Sequence, residues 1–333
     1  MEELRFSFIV PVFNRPAELE KLLQSFSRVQ FPREFEVVVI EDGSTLKSDV
    51  VCSRFRESVN ITYLSKQNTG PGDSRNYGMQ RASGNYFIIL DSDCIVPADL
   101  LEKVHRHLKN NFVDCYGGPD AAHESFTNLQ KAINYSMTST LTTGGIRGGG
   151  EMAGKFQPRS FNMGLSKKAF ETTGGFSTIH PGEDPDLTLR LWELGFQTAL
   201  FSNAFVYHER RISWSLFYKQ VNKFGKVRVI LNKWHPTSKK ITYWLPSLFV
   251  LYMFFSFTCA LFGNSIFMVP LLVYVLLIFS FSTLKNGFIV GCMSIAAMLI
   301  QFTGYGLGFL NSYIQIGILK KEERDAFPNL FFK

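Results

Sequence analysis

Four groups of residues in this 333-residue chain carry side chains suited to chemistry. Asp91-Ser92-Asp93 sets two carboxylates at alternate positions just after the apolar run Tyr86–Leu90. Hard oxygen ligands at that spacing suit Mg2+ or Mn2+, with a diphosphate completing the shell. A plain strand-capping turn has the same residues. Asp42-Gly43-Ser44 follows a second apolar run, Glu36–Ile40. Gln67–Gly72 leads into Asp73-Ser74-Arg75-Asn76, a turn and helix start where Arg75 could meet phosphate oxygens or a surface carboxylate. Gly182-Glu183-Asp184-Pro185-Asp186-Leu187 is an acidic cluster opening a helix over Asp186–Leu194. Acids at a helix N-terminus are favourable on macrodipole grounds alone.

These groups need elements that bring them together. Phe6–Val10 predicts a strand, and Pro16–Phe26 a helix with Leu19, Leu22, Leu23 and Phe26 on one face and Asn14 as its cap. Glu36–Ile40, Asn60–Leu64 and Tyr86–Leu90 predict three more strands, with helices over Pro71–Gln80 and Pro97–Asn110 between and after them. Alternating strands and helices imply a mostly parallel sheet covered by helices. Ligands of such sheets bind at the carboxyl ends of strands. Asp42 and Asp91–Asp93 both lie at such ends, so they are expected to face one crevice.

Taken in order, these pieces resemble the family 2 inverting glycosyltransferases of GT-A fold. The residues that carry the resemblance are Val10-Pro11-Val12-Phe13-Asn14, Ile40-Glu41-Asp42-Gly43-Ser44-Thr45, Asn68-Thr69-Gly70 with Arg75-Asn76, and Asp91-Ser92-Asp93. Asn162-Met163-Gly164, Gly174-Gly175-Phe176, Glu183-Asp184-Pro185-Asp186-Leu187 and Tyr207-His208 complete the set, over about residues 5–208. The resemblance implies an α/β GT-A fold: a Rossmann-like, mixed but mostly parallel sheet with helices on both faces. It implies a nucleotide-sugar donor held by Pro11, Val12, Phe13, Asn14, Asp42, Asn68, Arg75, Asp91 and Ser92. Asp93 and Asp91 would hold the divalent metal. His208 matches either a further metal ligand or a structural histidine. Asp184 matches the general base, with Asn162, Met163, Glu183 and Asp186 on the acceptor side. Inverting transfer is one in-line displacement, so a carboxylate must lie opposite the leaving diphosphate. Two departures stand out: Glu41 replaces an aspartate usual at that strand end, and Asp73 adds negative charge beside the phosphate region.

The composition separates a soluble enzyme from a membrane portion. Hydrophobic residues make up 46% and charged ones 19%, which excludes a disordered chain. The five cysteines lie far apart and exclude a disulfide scaffold. From Glu209 to Lys240 nine basic residues face one acid, a local charge of +8. The rest of the chain therefore sums to −1 of the total +7, so nucleic acid is not the expected partner. From Ile241 to Leu319 the only charge is Lys285, and the apolar runs Tyr243–Phe262, Ser265–Thr283 and Gly287–Leu319 are long enough to span a bilayer. The expected domains are a glycosyltransferase domain over 1–208, a basic interfacial segment over 209–240, a transmembrane region over 241–319 and a charged tail over 320–333. Gly304, Gly306 and Gly308 leave the third run open to a break, a re-entrant turn, or one span plus an interfacial helix. Three full crossings would put the basic tail outside, against the positive-inside tendency.

Within the basic segment, Trp214, Phe217, Tyr218, Val221 and Phe224 on one side and lysines on the other predict an interfacial amphipathic helix. Gln220 and Lys223 lie where processive synthases carry a QxxRW motif, here degraded, and are expected beside the acceptor. Thr142–Gly154, with six glycines, predicts a loop beside the acceptor cleft or a linker. The first residues do not read as a signal peptide, so the enzyme domain is expected on the cytosolic side of a multi-pass plasma-membrane protein. The expected reaction is metal-dependent transfer to a hydroxyl of a lipid-linked glycan or glycolipid. A phosphate acceptor needs no base, so the acidic cluster favours a hydroxyl. The alternatives are a polyprenyl-phosphate glycosyltransferase, a processive synthase, a nucleotidyltransferase and a non-catalytic scaffold.

Overall fold

The structure, a computed structural model, describes residues 3–121, 126–144, 156–208 and 213–332, without the side chains of residues 120, 121 and 208. The described residues form two units. An α/β unit takes those within 1–123, 151–209 and 331–333, and a helical unit those within 124–150 and 210–330.

The α/β unit begins with β1 (Phe6–Val12), α1 (Pro16–Phe26), β2 (Glu36–Asp42), α2 (Asp49–Phe55), β3 (Ile61–Lys66), α3 (Pro71–Arg81) and β4 (Tyr86–Leu90). β5 (Cys94–Ile95), α4 (Leu100–Asn110), β6 (Cys115–Gly117) and β7 (Asp120–Ala121) follow. After α5 (Asn128–Thr138) and α6 (Thr140–Thr143), which belong to the helical unit, come β8 (Asn162–Ser166), α7 (Lys167–Thr173), α8 (Glu183–Glu193), β9 (Thr198–Leu200) and β10 (Val206–His208).

The main sheet has the order β3-β2-β1-β4-β8-β6-β9, and β5-β10-β7 form a second, small sheet. β1 to β4 are mutually parallel, while β8 runs antiparallel to both β4 and β6. Alternation along buried strands feeds two cores. Phe8, Val10 and Val12 face Leu19, Leu22 and Phe26 on one side. Ile9, Ile40 and Ile89 face Met79, Leu187 and Leu191 on the other. Helices therefore cover both faces, as the GT-A expectation requires. β2 and β4 flank β1 and run the same way, so Asp42 and Asp91 leave the sheet at the same edge. One local expectation fails. Asn14 does not cap α1, whose N-cap is Arg15 without a side-chain bond. The Asn14 oxygen instead accepts from the Thr45 N–H at 2.8 Å and the Leu46 N–H at 3.0 Å, which offers it better-placed donors across the strand ends.

In the helical unit, α9 (Trp214–Trp234) is followed by α10 (Leu245–Leu261), α11 (Val269–Asn286) and α12 (Phe288–Ser312). α12 continues as a π-helical turn over Tyr313–Ile318, and α13 (Glu323–Ala326) follows. Three segments, Ile241–Leu261, Ile266–Asn286 and Phe288–Ile318, are long and apolar enough to cross a membrane. α10 and α11 turn large apolar side chains outward, among them Leu251, Phe254, Leu272 and Leu276. α12 runs unbroken through Gly304, Gly306 and Gly308, because those glycines admit neighbouring backbone. A Cβ on Gly308 would meet the Asn222 carbonyl of α9, and one on Gly306 the Pro246 carbonyl of α10. Residues 145–154 of the glycine-rich stretch lie outside the described residues.

Candidate active site

The carboxyl edge of the sheet gathers two charged assemblies. The first surrounds Asp42, at the end of β2. Its Oδ1 accepts from Lys66 Nζ at 2.8 Å and from the Thr69 N–H at 3.0 Å, and its Oδ2 from the Gly70 N–H at 3.0 Å. Asn68 Nδ2 donates to the Asp42 carbonyl at 2.9 Å. Lys66 also pairs with Asp73 at 3.1 Å. Burial pushes the Asp73 carboxyl up, but bonds from Thr69 and Lys66 hold it below its usual range. The extra negative charge noted in the sequence is therefore matched by a cation. Nothing in the sequence marks Lys66 except its position at the end of β3.

Glu41, the departure beside Asp42, is wholly buried and points to the other side of the strand. Its carboxylate takes the Ser44 hydroxyl, the Ser48 N–H at 2.7 Å and the Tyr63 hydroxyl at 3.1 Å. It ties the loop after β2 and the start of α2 to β3. Asn14 at φ +54 joins the same loop. Pro11 and Val12 sit on β1 beside Ile40 and Glu41, and the Phe13 ring is half exposed.

The second assembly is built on Arg75. Its guanidinium donates to Asp91 Oδ1 at 2.8 Å and to Glu183 Oε1 at 3.1 Å, and it lies 5.3 Å from the Phe176 ring centroid. The side chain is only 4% exposed. Burial acts to lower its pKa, but Asp91, Glu183 and Asp184 raise it, so the charge is kept. Arg75 thus joins the carboxylate after β4 to the acidic start of α8. Asp93 pairs with Arg15 at 2.6 Å, and Ser92 between them is buried.

Glu183 and Asp184 open α8, and their environments differ. Glu183 is bonded to Arg75 and lies 2.9 Å from His180 Nδ1. Burial raises its carboxyl, but His180 and Arg75 bring it below the usual carboxylate range. Asp184 accepts one bond, from the Ser160 N–H at 3.2 Å on Oδ2. Its Oδ1 is buried and has no hydrogen-bond partner. Burial first, and the charge of Glu183 second, raise its carboxyl above the ordinary range. Such a carboxylate has free lone pairs and a proton affinity suited to a base.

The remaining expected residues lie on β8, α8, β10 and α9. Asn162 on β8 sits beside Leu90, one residue before Asp91, and its Nδ2 donates to the Ala204 carbonyl at 2.8 Å. Met163 is fully buried beside Ile89. Asp186 is bonded by Arg190 at 2.9 and 3.0 Å, and Arg190 also holds the Thr173 and Gly175 carbonyls. The His208 backbone pairs with Cys94, while its side chain lies outside the described residues. Gln220 and Lys223 lie on α9 in the helical unit. Arg15, Lys66 and Ser160 went unnoticed in the sequence, since their partners Asp93, Asp42 and Asp184 are distant along the chain, and His180 went unnoticed although its partner Glu183 is only three residues on.

The donor chemistry of Asp91 and Asp93 fits a hard divalent cation. Both carboxylates stand beside guanidinium groups that already balance negative charge there. Among the described residues no three His, Cys, Asp or Glu side chains gather as a metal cage, so diphosphate oxygens and water would supply the other ligands.

Comparison with known proteins gives a consistent result. The sequence profile described as Glycosyl transferase family 2 matches residues 7–175. TarS of Staphylococcus aureus, a poly(ribitol-phosphate) beta-N-acetylglucosaminyltransferase, is 33% identical over 114 residues, covering 33% of this chain and 20% of TarS. An uncharacterized glycosyltransferase of Haemophilus influenzae is 29% identical over 192 residues, 56% of this chain and 61% of that one. The match thus spans about a fifth of TarS. Among solved structures, the mannosyltransferase PcManGT from Pyrobaculum calidifontis, in complex with GDP-Man and Mn2+, superposes with a TM-score of 0.65 at 15% identity, over 92% of this chain and 88% of that one. TarS 1-349 superposes with a TM-score of 0.53 at 18% identity, over 94% and 92%. At these identities the likeness speaks to fold.

Proposed function

Because the chain belongs to glycosyltransferase family 2, and is thus a glycosyltransferase, we propose that it transfers a sugar from a nucleotide-sugar to a hydroxyl of a membrane-associated acceptor in one inverting displacement. The observation that carries this reading is the contrast at the start of α8. Glu183 is committed to Arg75 and His180, while Asp184 keeps a buried oxygen without a partner.

Asp42, oriented by Lys66 and two backbone N–H groups, receives the donor's base. Arg75 keeps the Asp91 carboxylate and the α8 acids at a fixed separation. Asp184 takes the proton from the acceptor hydroxyl as its oxygen attacks the anomeric carbon. The bond to the diphosphate breaks, and the electron pair leaves with the nucleoside diphosphate. Asp91 and Asp93 would hold a divalent metal, which when bound neutralises charge on the leaving diphosphate. Supporting a hydroxyl acceptor, TarS carries in its name a polyol phosphate polymer as acceptor. The three apolar helices and the basic α9 support a plasma-membrane enzyme with its α/β unit on the cytosolic side.

Asp184→Asn is expected to lower transfer by about 10²–10⁴-fold. Nucleotide binding, measured by calorimetric titration, should persist. Loss of binding together with turnover would assign Asp184 to structure instead.

A further inference from the structure

The α/β unit contains one segment drawn from far along the chain. Phe331 pairs with Ile179 as an antiparallel bridge, and the Phe332 N–H donates to the Thr178 carbonyl at 3.0 Å. The Phe332 ring lies 6.0 Å from the His180 ring, centroid to centroid. The same ring fills the space that a Cβ on Gly70 would need, and Gly70 stands at φ +93. Both positions serve the site. The Gly70 N–H fixes Asp42 Oδ2, and His180 Nδ1 meets Glu183. One aromatic side chain therefore backs the segment that orients Asp42 and the segment that orients Glu183.

We propose that Phe332 is a positioning residue of the donor site. Its docking also returns the chain to the side of the bilayer that holds the α/β unit, so the membrane is crossed an even number of times. The second half rests on the membrane reading above. Three crossings after the α/β unit would leave Phe331 on the far side from Ile179, and the bridge could not form.

The helical unit independently identifies the segment that does not cross. α9 and α12 advance in the same direction, side by side. Phe217 and Ala297 share one apolar cluster, Asn222 Nδ2 donates to the Gly304 carbonyl at 3.0 Å, and the Ser312 hydroxyl donates to the Lys226 carbonyl at 3.0 Å. α9 carries Lys219, Lys223, Lys226, Arg228 and Lys233. Five such charges are too costly in hydrocarbon for α9 to accompany α12 across. α10 and α11, with their outward apolar side chains, remain as the crossing pair.

Three measurements on the full chain decide this. Lys47, in the loop after β2, and Asn329, just before Phe331, are both exposed. Lys47→Cys and Asn329→Cys, in a background with Cys259 and Cys292 changed to serine, are labelled with a membrane-impermeant maleimide in intact cells and in inverted vesicles. Both should label from the same side, and labelling from opposite sides overturns even crossing. Thr178→Cys with Phe332→Cys should cross-link on oxidation, because facing residues of an antiparallel pair suit a disulfide. Phe332→Ala should raise KM for the nucleotide-sugar about tenfold with a smaller change in kcat, and Phe332→Tyr should restore it. An unchanged KM, or no cross-link, overturns the positioning role. If the protein washes from membranes in salt, the membrane reading and even crossing fail together, and the cross-link still judges the docking.

Discussion

Two adjacent acids, Glu183 and Asp184, sit in different environments because their neighbours differ. The sequence shows the pair but cannot say which member is free to accept a proton. That depends on Arg75 and His180, and Arg75 arrives from α3, 108 residues away. The consequence for pH has a definite sign. A base acts only when ionised, and burial and Glu183 raise the Asp184 carboxyl. With Asp184 as the proposed base, the rate is lost as pH falls through a value above the roughly 3.9 of a free aspartate. Glu183→Gln removes the neighbouring charge and should move the acid limb of kcat/KM downward. A limb that moves upward or not at all in that variant would detach it from Asp184. Asp42 was legible as a strand-end carboxylate, but its cation Lys66 was not, since pairing between parallel strands leaves no local signature. Asp186 illustrates the reverse case: it reads as part of an acidic site and is bonded by Arg190.

Elements were more legible than their partners. The buried runs of β1, β2 and β4 and the spacing of α1 follow from local pattern, because a strand covered on both faces must be apolar throughout. The short strands β5 to β7 and β9 lack that pattern and emerge only from pairing. The glycines of α12 are the clearest misdirection. In sequence they suggest a break, whereas in the fold they let helices approach backbone to backbone. Gly225 on α9 has the same office: a Cβ there would meet the Tyr305 carbonyl and the Phe309 nitrogen. Gly225→Ala should therefore cost about 1–3 kcal/mol through overpacking. Gly317→Ala, whose methyl would meet only the Tyr313 ring at 3.3 Å, should cost far less. Thermal unfolding in detergent would compare them, and equal losses would mean that the glycines contribute no close packing.

At the scale of the whole chain, composition separated an ordinary enzyme from an apolar portion, and the basic excess marked the junction. The return of Phe331 and Phe332 to the α/β unit was not visible, because a two-residue bridge carries no periodic signal. The length of α10 and α11 has one more consequence. With the 3-10 turns that precede them, the two apolar segments are 21 residues each and rise about 33 Å, close to the ~30 Å of hydrocarbon in a typical bilayer. On the proposed crossing, a hairpin of that reach matches such a bilayer, and a thicker one must thin to meet it. Transfer in reconstituted vesicles should therefore decline as acyl chains lengthen beyond that match at constant headgroup, and a rate indifferent to chain length would argue against crossing by α10 and α11. On the proposed crossing, bilayer thickness is a sorting variable for this enzyme, acting through mismatch with the hairpin and independently of its substrates.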